Sequence, residues 1–134
     1  MTGSEAVTTL ALYISGEIKD TRVFKYEKPA NFRGAYIALN QLAFQYGAAV
    51  NSSGIVNVNI HVPDLTDGQP DTRSLQALTD RVRALLPTRN DDTEDETGIA
   101  LGGAFYSLDA DSNPMADTDG THFVNIRVRV LFLA

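Results

Sequence analysis

Residues Gly54 to Asp64 read GIVNVNIHVPD, and this stretch constrains the fold most. Val56, Val58, Ile60 and Val62 alternate with Asn57, Asn59 and His61. A repeat of two puts alternate side chains on opposite faces, so the pattern predicts a strand with one dry and one wet face. The last residues echo it. Val124, Ile126, Val128, Val130 and Phe132 alternate with Asn125, Arg127 and Arg129. Two long strands with matched alternation predict the centre of one sheet.

The rest of the chain is read around that pair. Val7, Leu10, Ala11, Ile14 and Ile18 follow one helical face, which predicts a helix over 4–18 with Ser4 as cap. Arg22 to Lys28 alternates as a short strand or arm that Pro29 stops, and Ala30 to Gly34 reads as a turn. A longer strand is expected over 35–46. Ile37 and Leu39 share one apolar phase and Leu42, Phe44 and Tyr46 the other, so a β-bulge is expected near Asn40. Residues 47–54 then supply a hairpin. After a loop over 64–71, Leu75, Leu78, Val82, Leu85 and Leu86 form one stripe on a helix over 72–86, capped by Asp71 or Thr72 and stopped by Pro87. A polar loop over 88–97, a strand over 98–108 with a glycine pair marking a bulge or close backbone approach, and a loop over 109–120 complete the order. The series α, β, β, β, α, β, β implies a single α+β domain over 1–134. Its mainly antiparallel sheet of about four to five strands is backed by two helices.

Composition narrows function by exclusion. A formal net charge of −6 argues against a general phosphate-binding surface. The absence of cysteine removes disulfides and thiolate chemistry. No apolar run approaches the ~20 residues of a membrane helix, and the N-terminus lacks the pattern of a secretory signal. No nucleophile elbow or glycine-rich phosphate loop is present.

His61 with Asp64 forms the only general-base candidate; the plainer reading makes His61 a solvent-side or interface residue. Neither histidine shows metal-ligand spacing. Asp109, Asp111, Asn113 and Asp117 imitate the opening ligands of an EF-hand loop, but Pro114 stands where glycine is needed and Gly120 where a bidentate glutamate should close the shell. A solvated acidic loop is the reading kept. Arg127 and Arg129, with Lys25 and Lys28, would make a basic stripe, yet interleaved aromatics for base stacking are missing beyond Phe123. Asn57, Asn59, His61, Asn125, Arg127 and Arg129 together would cover a broad polar sheet face, suited to solvent or to side-by-side subunit packing.

The order of residues adds a resemblance. RVFKYEKPANFRGAYIALNQLAF, GIVNVNIHVPD, PDTRSLQALTDRVRALL and HFVNIRVRV, from about residue 22 onward, resemble small tail-completion proteins of tailed bacteriophages. Residues 31–35 depart from the serine and acidic residues usual there. The resemblance implies a tail terminator-like fold and a structural virion protein without enzymatic activity or cofactor. Such a protein forms a ring, commonly of six subunits, that caps the tail tube and joins it to the head–tail connector. It is assembled in the host cytoplasm, with genome DNA passing non-specifically through the lumen and no membrane involved. A neck or head-completion protein is the alternative within that class, and a small enzyme using His61 and Asp64 the alternative outside it. On this reading the polar sheet face makes subunit contacts. The loops carrying Asp67, the acids Asp91, Asp92, Glu94, Asp95 and Glu96, and the acids Asp109, Asp111 and Asp117 contact neighbours or line the channel.

Overall fold

In a computed structural model, residues 1–42, 44, 51–88 and 98–133 are described. The elements are α1 (Gly3–Glu17), β1 (Arg22–Lys25), β2 (Tyr36–Gln41), β3 (Asn51–Pro63), α2 (Thr72–Arg83), β4 (Ile99–Leu101), β5 (Ala104–Asp111), β6 (Met115–Ala116) and β7 (Thr121–Leu133). They build one α+β unit. Its sheet runs β1-β2-β3-β7-β5-β4, with β6 also pairing β7. Against the expected four to five strands, the described residues form seven, and β1 pairs β2 in parallel, so the sheet is mixed.

The two alternating strands do lie side by side at the centre. β3 and β7 pair antiparallel along their whole length, with Val56 opposite Val128, Val58 opposite Ile126 and Ile60 opposite Val124. These valines and isoleucines, with Ile37 and Leu39 of β2, are buried on the inner face. Both helices cover that face. α1 places Val7, Leu10, Ala11, Ile14 and, just past its end, Ile18 against it; α2 places Leu75, Leu78 and Val82, followed by Leu86. A hydrogen bond from the Tyr13 hydroxyl to the Leu85 carbonyl, 3.0 Å, links the two helical segments. Asp71 caps α2, its carboxylate accepting from the Ser74 amide. α1 is capped by Thr2, whose hydroxyl accepts from the Glu5 amide, and not by Ser4, which lies inside the helix.

Three local features differ from expectation. β2 pairs with β3 without interruption from Tyr36 to Gln41, so no bulge interrupts that span at Asn40. β2 is buried on both faces, Tyr36 and Ala38 on one and Ile37 and Leu39 on the other, whereas Leu42 beyond it is exposed and Phe44 stacks on Phe132 against the core. Among the described residues a register shift lies in β5, between Leu108 and Ala110. Gly102 and Gly103 do not bulge a single strand; with φ of +55° and +84° they form a two-residue hairpin turn between β4 and β5, a conformation that glycine adopts without strain. The stretch 109–120 is not one loop. Asp109 and Asp111 belong to β5, and β6 follows, so the EF-hand-like spacing is laid out along extended backbone. The later part of the expected strand over 35–46, most of its hairpin and the acids Asp91 to Glu96 lie outside the described residues.

Candidate functional site

Among the described residues no helix lies on the outer face of the sheet, and the register sorts the residues of that face into rows. Tyr36, His61 and Phe123 stand in one row, Ala38, Asn59 and Asn125 in the next, and Asn40, Asn57 and Arg127 in the third. Ile55, Arg129 and Ser107 make the fourth. Of the six residues expected on a polar face, all lie on this one face, but their environments divide.

The asparagines bind one another. Asn57 donates to Asn40 Oδ1 at 2.9 Å, and Asn125 donates to Asn59 Oδ1 at 2.8 Å and to Asn57 Oδ1 at 3.2 Å. An amide offers both donor and acceptor, so a ladder of them satisfies itself across three strands. Arg127 beside it is exposed and Arg129 half-buried, and among the described residues neither makes an ion pair.

His61 departs from expectation. It is 5% exposed and is neither a solvent-side nor an accessible interface residue. Its ring is sandwiched between Tyr36, 4.3 Å away and 8° from parallel, and Phe123, 4.8 Å away and 18° from parallel. The segment joining β1 to β2 folds over the same corner, with Phe32 packed edge-on against Phe24 at 5.1 Å and against Tyr36 at 6.0 Å. Lys28 adds its ammonium over the Tyr36 ring at 5.9 Å.

Beneath the stack the polar groups form a chain. The β6–β7 turn closes with an Asp117 amide to Thr121 carbonyl bond of 2.9 Å, and Gly120 takes the left-handed position at φ +78°. Asp119 in this turn accepts from the Thr121 amide at 3.1 Å, from the Thr121 hydroxyl at 2.5 Å and, through its other oxygen, from the Tyr36 hydroxyl at 2.6 Å. The Thr121 hydroxyl proton is therefore committed to Asp119, and its oxygen accepts from His61 Nδ1 at 3.0 Å. That assigns the neutral ring its proton on Nδ1. Asp117 Oδ2 stands 3.7 Å from the same nitrogen.

Burial pushes the His61 pKa below its ordinary value, against the pull of Asp119 and Asp117. For Asp119 burial works upward, but bonds from Thr121 and Tyr36 and the nearby His61 outweigh it and hold the carboxyl below its usual range. The Tyr36 hydroxyl is driven up by burial and by its bond to Asp119, so it stays protonated as a donor.

The general-base pair expected of His61 and Asp64 is not formed. Asp64 is bound instead to His122, Oδ1 to Nδ1 at 2.6 Å. His122 lies across from Val62, on the other side of the sheet from His61. Asp64 also lines an open cleft of about 560 Å³ with Ala35, Pro63, Leu78 and Arg81. Of the remaining acids named above, Asp67 accepts from the Gln69 amide in a local turn. Asp111 pairs with Arg83 at 3.5 Å. Asp119 and Tyr36, central to the stack, were not singled out by sequence. The Asp-Gly dipeptide at 119–120, between the alternating residues of β7 and an apolar Met115, was a hairpin signal that marks the first. Only the register identifies the second.

No family model matches the chain, and no curated protein matches it. A solved structure that carries no functional name is similar over 98% of this chain and 93% of its own length, at 16% identity and a TM-score of 0.59. The likeness concerns the fold alone.

Proposed function

We propose that the chain is a structural subunit of a tailed-bacteriophage virion. In this reading it is a tail terminator that assembles as a ring on the tail tube and meets the head–tail connector. The observation that carries the reading is the helix-free outer face, whose asparagine ladder runs into two arginines without ion-pair partners among the described residues. A face with satisfied amides and unspent positive charge, on a chain of net charge −6, favours acidic surface of another copy over a polyanion. Within the ring Asn57, Asn59, Asn125, Arg127 and Arg129 make the subunit contact; His61 supports it from beneath. Asp67, Asp109, Asp111 and Asp117 belong to segments that meet neighbours or the lumen.

Light scattering on the purified full chain tests this. Wild type is expected as a closed oligomer and Arg127→Glu/Arg129→Glu as a folded monomer; an unchanged mass for the double variant at low and moderate salt overturns the assignment of this face. A neck or head-completion protein would form a ring by the same surface. Immunogold labelling of virions separates the two, at the tail end or at the neck. An enzyme using His61 with Asp64 has no such support, because the two side chains are committed to different partners.

A further inference from the structure

The corner of the outer face beneath the Tyr36–His61–Phe123 stack holds a second constellation, separate from the arginine face. We propose that His61, Asp117 and Asp119 bind one divalent transition-metal ion of the zinc type.

The three side chains each offer a ligand atom, and these atoms lie within 4.8 Å of one another. The spacing between His61 Nδ1 and Asp117 Oδ2, 3.7 Å, is too long for a hydrogen bond. It suits two ligands of one ion: bond lengths of about 2.1 Å at a tetrahedral angle put their donor atoms about 3.4 Å apart. Asp117 is arranged for this. Its Oδ1 accepts from the Thr118 amide at 2.6 Å and from the Thr118 hydroxyl at 3.3 Å, while Oδ2, aimed at His61, has no donor among the described residues. The imidazole is buried and clamped between two rings, so its Nδ1 is aimed into the cluster at no further ordering cost. Asp117 and Asp119 are on the exposed side, leaving room for water to complete the shell. One imidazole with two carboxylates selects a borderline cation over magnesium or calcium, which take oxygen alone.

The proton account is simple. Without an ion, Nδ1 donates to Thr121. With one, the Nδ1 lone pair goes to the metal and the ring proton moves to Nε2 by exchange with solvent. Neutral imidazole therefore binds without net proton release, and Thr121 keeps its bond to Asp119.

Calorimetric titration of the full chain with zinc chloride at neutral pH, in excess magnesium, is the test. One saturable ion per chain is expected, weakened at least about tenfold by Asp117→Ala and unchanged by His122→Ala. Asp117→Ala is the decisive variant because its exposed side chain takes no part in the Tyr36–Asp119–Thr121 chain. Nitrogen NMR should show the His61 ring changing from the Nδ1–H to the Nε2–H form on saturation. Absence of one-site binding, wild-type affinity in Asp117→Ala, or a shift confined to His122 would each overturn the proposal.

Discussion

The two faces of the sheet use the same strands to different ends. On the inner face, β3 and β7 present mainly valine and isoleucine, with Phe132 at one end, and both helices lie on them. On the outer face the intervening residues bond laterally from strand to strand, ring on ring and amide on amide. The inner face holds the fold by removing apolar area from water. The outer face adds specific polar bonds of smaller net worth and leaves charge over for other uses. Stability should therefore be lost steeply on one side and gradually on the other.

The largest effect is expected inside. Ile60→Ala empties a fully buried site and should cost about 2–5 kcal/mol in urea unfolding; a cost below that of the outer-face variants would erase the contrast. Tyr36→Phe keeps the stack but removes one donor from Asp119, and a loss of about 1–3 kcal/mol is expected. Acidification should act on the outer face in two steps. His61 has a lowered pKa, so the unfolded chain takes up its proton first, and stability falls as pH drops through the ordinary value of 6.5. Asp119 is also lowered; its contribution is present above the ordinary 3.8 and is lost as pH falls through the folded value. His61→Phe, which preserves an aromatic stack, should flatten the first step in pH-dependent unfolding. An unchanged slope would place its origin elsewhere. The smallest effect belongs to Asp20→Asn. It removes a bidentate pair with Arg81, at 2.8 and 3.1 Å, that lies in solvent on neither face, and the melting temperature should stay within replicate scatter.

Much of the inner face was legible in the sequence, because burial leaves a periodic trace. The α1 and α2 stripes and the alternation of β3 and β7 name their buried residues directly. The outer face was legible only as polarity. Alternation shows that Asn57, Asn59 and His61 share a side, but not that His61 is capped by Tyr36 and Phe123 from two other strands. That depends on register between distant segments. The parallel β1–β2 pair was hidden for a similar reason. Its connection is short and has no helix, and Tyr26 within it adopts φ +69°, a conformation that side-chain chemistry does not announce.

The central pairing of β3 with β7 also governs how the chain reaches its fold. Val56 must find Val128 across α2 and the β4–β5 hairpin, so the middle of the sheet is closed by contacts far apart in sequence. Topologies of that kind pay loop-closure entropy before they gain contacts, and they fold in milliseconds to seconds. Until β7 arrives, one long side of β3 offers unpaired amides and carbonyls to any extended segment nearby. During synthesis, a crowd of unfinished copies would therefore be most exposed to mispairing along the very strand that later anchors each finished one.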